Sequence, residues 1–306
     1  MASHVAFLFP GQGSQQPGMG SELLEDAEVS ALCDRCAVQS GIDLRHLLTT
    51  AGEDELRLTQ NAQPALCFMG IGLTRLLRRR GVESVAAAGH SVGEYAALAA
   101  AGAVDAAGVI KAVVERGKAM ADAVPSGTSS MAAVLGLEAE KIEAALAGID
   151  GAWPANYNTP TQTVIAGTTD GLERASQALQ AAGAKRVIPL NVSAAFHTPL
   201  MAPAADRLRA ALDKIEWRAP SVPVMANLTG HQHQGGDRIA HVMQMQLRSP
   251  VLWAACIASL VELGCDAFVE VGPKRALTGM MRELAPGKAA LAVGTPAAIE
   301  ELAIPA

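Results

Sequence analysis

The segment Gly89-His90-Ser91-Val92-Gly93 has the residue types and spacing of an activated nucleophile. An apolar run precedes it and a helical pattern follows. In that setting G-x-S-x-G makes a sharp strand-to-helix turn that lifts the serine into the open. The helix N-terminus then offers backbone N–H groups and a positive dipole end to a developing oxyanion. The chemistry this would support is attack on an acyl carbon. The bland alternative is a tight turn in a chain rich in Gly and Ala.

A serine hydroxyl needs a base. The histidines are His4, His46, His90, His197, His231, His233 and His241. His90 adjoins the serine, but in such a turn its side chain is expected to point away. His231 and His233 fall in a polar loop, Thr229 to Gln234, read as solvated, with an H-x-H metal pair as the alternative. His197 lies between a strand and a helix, in Ala195-Phe196-His197-Thr198-Pro199, and is the best candidate. No acid between Ser91 and His197 stands out as a third member, unlike the Ser…Asp…His order of α/β-hydrolases. Two further features carry polar potential. The loop Pro10-Gly11-Gln12-Gly13-Ser14-Gln15 lacks the Lys-Ser/Thr of a phosphate-binding loop, but it can bring a backbone N–H such as that of Gln12 near a carbonyl. Arg116 lies in an otherwise apolar helical segment and reads either as a surface arginine or as a buried cation.

These residues must be positioned by an alternating pattern of elements. Val5 to Phe9 reads as a buried strand, followed by helices over about Ser21–Ser40 and Pro64–Arg80, a strand at Ser84–Ala88, and helices to about Gly102 and over Asp105–Ala123. From Ser126 the order becomes strand Met131–Leu135, helix Glu138–Ala147, strands Trp153–Asn156 and Thr163–Ala166, helix Gly171–Ala182 and strand Lys185–Leu190. That β-α-β-β-α-β order is ferredoxin-like. Helices near Leu200–Ile215 and Leu252–Leu263 then alternate with strands near Val222–Ala226 and Ala267–Val271. The expected fold is α/β: a large α/β-hydrolase-like domain with a parallel sheet (1–125 and 192–306), interrupted by a small ferredoxin-like α+β domain (126–191). The cleft between the two is the expected site.

Composition narrows the function classes. The chain has 306 residues, 24 Lys and Arg against 30 Asp and Glu, and a net charge of −6, which argues against bulk nucleic-acid affinity. No run of 18 apolar residues suggests a membrane span, and the N-terminus has no basic region of a signal peptide. The five cysteines include a lone Cys33-x-x-Cys36 in a helical pattern, read as structural thiols, so a reducing cytoplasm is expected.

Taken together the motifs resemble the malonyl-CoA:acyl-carrier-protein transacylase family, including the acyltransferase domains of polyketide synthases. The resemblance runs through Phe9-Pro10-Gly11-Gln12-Gly13-Ser14-Gln15, Gln63-Pro64-Ala65-Leu66, Gly89 to Tyr95 and Arg116-Gly117. It continues through Asn156-Tyr157-Asn158-Thr159-Pro160, Val164-Ile165-Ala166-Gly167, Phe196-His197, Gln246 and Glu270-Val271-Gly272-Pro273. It implies an S-malonyltransferase with a Ser91–His197 dyad, the imidazole being oriented by the main-chain carbonyl of Gln246. It further implies an oxyanion hole from the backbone of Gln12 and Val92, and Arg116 on the malonyl carboxylate. Val92 and Phe196 go with malonyl over methylmalonyl in this family. No bound cofactor is implied: the substrates are a CoA thioester and the phosphopantetheine of an acyl carrier protein. A cytoplasmic monomer is expected, with neither nucleic acid nor membrane as partner. The acidic carrier would dock on a local basic patch, for which Arg78-Arg79-Arg80, Lys185-Arg186 and Lys274-Arg275 are the candidates.

Overall fold

Strand β1 (Val5–Phe9) is buried at every position, and its two faces feed two different cores. Val5, Phe7 and Phe9 point into the main apolar cluster, whereas Ala6 and Leu8 join a second cluster around Trp253, Ile257 and Met281. A strand buried on both faces is the mark of a parallel sheet covered by helices on each side. The computed structural model describes residues 4–125, 127–192 and 194–304. Ser126, the expected first residue of the insert, lies outside the described residues.

The first part of the chain continues with α1 (Ala27–Ser40), α2 (Leu44–Thr49), α3 (Glu53–Arg57), α4 (Thr59–Arg79), β2 (Ala86–Gly89), α5 (Gly93–Ala100) and α6 (Ala106–Asp122). Next come β3 (Ser129–Leu135), α7 (Ala139–Leu146), β4 (Ala152–Thr159), β5 (Gln162–Thr168), α8 (Thr169–Ala181) and β6 (Arg186–Pro189). The last part holds α9 (Ala202–Leu212), β7 (Val224–Met225), α10 (Ile239–Gln246) and α11 (Trp253–Glu262). It closes with β8 (Ala267–Val271), α12 (Met281–Leu284), β9 (Ala289–Val293) and α13 (Pro296–Glu300).

One sheet has the order β7-β2-β1-β8-β9 and is parallel throughout. The other has the order β4-β5-β3-β6 and is antiparallel. Val134 and Ile165 of the second sheet pack under Ile142, Leu146, Leu172 and Leu179 of its two helices. Its opposite face, through Met131, Val164 and Ala166, joins the main core. Strand β4 is tied to the segment after α10 by two backbone bonds, Tyr157 N–H to the Val251 carbonyl and Val251 N–H to the Ala155 carbonyl.

Two expected helix starts differ most from those observed. The expected helix over 21–40 begins only at Ala27, because the Asp26 carboxylate caps the Val29 N–H and fixes the start there. The expected helix from Pro64 begins at Thr59, so the proline sits inside the helix near its start. At that depth it forfeits one backbone bond without breaking the helix.

Candidate functional site

Three neighbouring parallel strands deliver polar groups at their carboxyl ends, where open α/β sheets place their ligands. Strand β1 leads to Gln12, β2 to Ser91 and β7 to Asn227. The turn between β2 and α5 requires its glycines by close approach. A Cβ on Gly93 would lie 2.1 Å from the Phe9 carbonyl oxygen, and one on Gly89 would lie 1.9 Å from the Gly93 carbonyl carbon. Ser91 itself has φ +53°, a left-handed backbone that a residue with a side chain adopts at a cost of about 1–3 kcal/mol. Asn227 holds the turn in this form. Its Oδ1 accepts the Ser91 N–H at 2.7 Å, and its Nδ2 donates to the Gly89 carbonyl at 2.7 Å.

His197 also has a positive φ, +60°, and is buried. Its Nε2 lies 2.7 Å from Ser91 Oγ, and its Nδ1 lies 3.0 Å from the Gln246 carbonyl oxygen. A carbonyl can only accept, so this contact assigns the ring proton to Nδ1 and leaves the Nε2 lone pair facing the serine hydroxyl. Burial, and next the nearby Arg116 cation, push the His197 pKa down to about 3. The imidazole is therefore neutral and able to take a proton across the whole neutral range.

Arg116 projects from α6 and is 0% exposed. Its Nη1 donates to Gln63 Oε1 at 2.6 Å, and its Nη2 donates to Ser91 Oγ at 3.0 Å and to Gln246 Oε1 at 3.1 Å. The guanidinium carbon lies 5.6 Å from the centre of the Tyr95 ring. Its Nε has no partner, and no carboxylate forms an ion pair with it among the described residues. Burial lowers its pKa from the ordinary arginine value, and Tyr95 and Glu94 act in the opposite direction. A fully buried cation whose hydrogen-bond partners among the described residues are amides and a hydroxyl is an expensive arrangement for a fold to hold without an anion.

The space in front of these groups is a cavity of about 100 Å³, walled by Gln12, Gln63, Ser91, Met120, Phe196 and His197 among others. The backbone N–H groups of Gln12 and Val92 donate to nothing among the described residues, as oxyanion donors would before substrate arrives. A larger cleft of about 460 Å³ opens between α6 and α9, but no Ser, Cys or His is among the residues that line it.

Ser91, His197, Arg116 and both the carbonyl and the side chain of Gln246 are thus brought together, with Gln12 and Phe196 on the cavity wall. The Val92 side chain is not on that wall. It packs into the main core, because the start of α5 directs it inward. His90 is among the cavity residues, but its ring contacts are elsewhere, with Nε2 2.9 Å from Asn158 Oδ1 and the ring centre 5.5 Å from that of Trp253. His233 departs from expectation. It is buried rather than solvated, with Nε2 2.7 Å from Glu94 Oε1. No group of three or more His, Cys, Asp or Glu is placed to hold a metal among the described residues.

Three residues that contact the reacting groups or hold those that do have no role in the sequence reading: Gln63, Asn227 and Glu94. Glu94 adjoins the G-x-S-x-G segment, and Asn227 is the first polar residue past a parallel strand, a placement that could have marked it. Of the basic patches, Arg78, Arg79 and Arg80 are each paired with acids of this chain. Lys274 donates to the Gly13 carbonyl at 3.2 Å, next to the cavity residue Gln12.

Comparison with known proteins follows this geometry. The family described as acyl transferase domain matches residues 6–296. The malonyl CoA-acyl carrier protein transacylase of Escherichia coli strain K12 is 40% identical, covering 97% of this chain and 98% of that protein. The protein of the same name from Bacillus subtilis is 39% identical over 97% and 96% of the two chains. Among solved structures, an acyl carrier protein S-malonyltransferase from Vibrio cholerae superposes with a TM-score of 0.94 at 38% identity, covering 98% and 99%. A malonyl-transacylase solved in complex with its type II PKS acyl-carrier protein superposes with a TM-score of 0.91, at 38% identity over 97% and 98%.

Proposed function

This chain belongs to the acyl transferase domain family, and on that premise we propose that it moves a malonyl group from malonyl-CoA to the phosphopantetheine thiol of an acyl carrier protein. The observation that carries the malonyl assignment is Arg116, buried beside the nucleophile and without an acid partner among the described residues. A planar guanidinium and a carboxylate form a two-pronged pair. The acyl group that completes the site is therefore one with a free carboxylate at its far end.

The reaction divides into two halves. His197 Nε2 takes the Ser91 proton as Oγ attacks the thioester carbonyl, and the Gln12 and Val92 N–H groups receive the oxyanion. The C–S bond breaks, and the CoA thiolate takes the proton back from the imidazolium, leaving a malonyl ester on Ser91. In the second half the carrier thiol gives its proton to His197 and attacks that ester, and Ser91 regains the proton as the C–O bond breaks. The Gln246 carbonyl stabilises the imidazolium formed in each half, the part a carboxylate plays in a triad. The small cavity limits water around the ester, without which the outcome would be hydrolysis. Phe196 on the wall fits a pocket with little room for an α-methyl group.

In this reading the second sheet with α7 and α8 is a ferredoxin-like insert over 126–191 in an α/β-hydrolase-like domain formed by 1–125 and 192–306. A cytoplasmic setting suits the unpaired thiols. Lys274, beside the Gly13 loop, is the basic residue best placed to meet an acidic carrier. Incubation with malonyl-CoA followed by intact-mass measurement should show one malonyl group added to the native chain and none to Ser91→Ala. Labelled malonate should then pass to a carrier protein. Free malonate released at the same rate with and without carrier would make the protein a thioesterase instead. A panel of fatty-acid and polyketide carriers then assigns the pathway.

A further inference from the structure

A second polar cluster lies next to the reacting groups, and the chemistry above does not use it. Glu94, on the first turn of α5, is 0% exposed, as are Asn227 and Gln246, and the His233 side chain is 1% exposed. Glu94 Oε1 accepts from His233 Nε2 at 2.7 Å. Its Oε2 accepts from Gln246 Nε2 at 2.8 Å and from the Asn227 backbone N–H at 3.0 Å. Neither Glu94 nor His233 lines the catalytic cavity.

The two residues that Glu94 shares through Oε2 are the ones that hold the reacting groups. Asn227 Oδ1 accepts the N–H of strained Ser91. Gln246 accepts from His197 Nδ1–H on its main-chain carbonyl, accepts from Arg116 on its side-chain oxygen, and donates from Nε2 to the Ser91 carbonyl at 2.9 Å. Ser91, His197 and Arg116 are therefore each one residue removed from a single carboxylate.

We propose that Glu94, itself fixed by His233, is the positioning residue that sets the mutual orientation of the dyad and the arginine. The inference rests on the acyltransferase reading above. A carboxylate only accepts, so Glu94 admits the Gln246 amide in one orientation, with Nε2 toward the acid. The amide oxygen is then turned to Arg116. The opposite orientation would set amide N–H groups against guanidinium N–H groups. Packing alone does not explain the acid, since buried ionic groups can often be replaced by apolar ones without loss of stability. His233 Nδ1 has no partner among the described residues, so the ring's one hydrogen bond there is the one with Glu94.

The test uses the full chain, with malonyl-CoA and acetyl-CoA as probes and the Ser91 acylation rate per folded molecule as the readout. Native protein comes first: no malonyl adduct on it refutes the acyltransferase reading, whereas an adduct leaves only the positioning role under test. Glu94→Leu should lose malonyl acylation by ~10²-fold, the scale of a 1 Å misplacement. Its preference for malonyl over acetyl should also fall, because Arg116 loses its oriented acceptor, and a merely structural residue would not move that ratio. His233→Leu should show the same two changes at ~10-fold. Glu94→Gln should recover most of the rate, since its carbonyl can still accept from Gln246 and Asn227 while the His233 ring switches tautomer. Should Glu94→Leu fail to fold, the other two variants decide. His233→Leu with native rate and native preference overturns the proposal, as does Glu94→Gln no better than His233→Leu.

Discussion

Two sets of arginines in this chain show opposite uses of one side chain. Arg78, Arg79 and Arg80 lie at the end of α4, between a third and a half exposed, and each meets an acid: Glu83, Asp26 with Glu28, and Glu300. Arg116 is wholly buried and meets none among the described residues. Water screens the first set, so their pairing adds little stability and leaves them with nothing further to bind. The second is shielded from water and held by neutral groups, so its charge stays available to a ligand. Where burial is complete and no acid of the described residues faces the charge, the proposed substrate supplies the anion.

The largest effect that could break this contrast is the loss of Arg116. Arg116→Ala should cut malonyl transfer by ~10²-fold or more while leaving acetyl transfer much less affected, since a substrate carboxylate would lose its charged partner. Equal losses for both acyl groups, measured as kcat/KM, would remove the carboxylate role. Arg116→Lys should recover only part of the malonyl rate, because an ammonium restores the charge without the two-pronged geometry. Full recovery would reduce the residue to a point charge.

A third test uses pH. His197 is held below its ordinary pKa partly by Arg116, so its base form persists as pH falls well below 6.5. Acylation by acetyl-CoA should therefore keep its rate at pH 5 in the native enzyme. In Arg116→Ala the acid limb should move upward, toward the ordinary histidine value. The same shift affects stability. Below about pH 6.5 the unfolded chain binds a proton at His197 that the folded chain refuses until about pH 3, so this stability contribution is present above that window and lost through it. A limb that does not move on removing Arg116 would mean that burial alone sets the His197 pKa.

The smallest effects concern folding. Arg79→Met should lower stability by about 0–1 kcal/mol and leave transfer unchanged. Arg116→Met should leave the melting temperature unchanged or raise it, because replacing an unpaired buried charge with an apolar chain removes a desolvation cost. A large fall in melting temperature for Arg116→Met would make that arginine structural and dissolve the contrast.

What could be read from the sequence divides along how local each feature is. Ser91 was legible because its turn is built by neighbours at fixed spacing, and β1 because five consecutive apolar residues precede Pro10. His197 is 106 residues away from Ser91, and only the resemblance singles out its partner, Gln246. That partner acts through a backbone carbonyl, which no side chain advertises. Arg116 was ambiguous because α6 carries Glu115 and Lys118 on its exposed side, and only tertiary packing decides which way a helical arginine faces. The polar loop around His233 reads as solvated from its composition, which hides the fact that the chain folds it back onto Glu94. The strand β9 and the helix α10 carry weak local patterns, and contacts far along the chain create them.

Ser91 and His197 are the two non-glycine residues, among those described, with a left-handed backbone. A protein engineered for durability alone would be given glycine at both positions, and the turn would relax. The same edits would delete the proposed nucleophile and its proposed base. Any automated stabilisation of this enzyme that scores backbone angles should therefore place its first two substitutions on its two reacting residues. Those positions must be held fixed before the rest of the chain is redesigned.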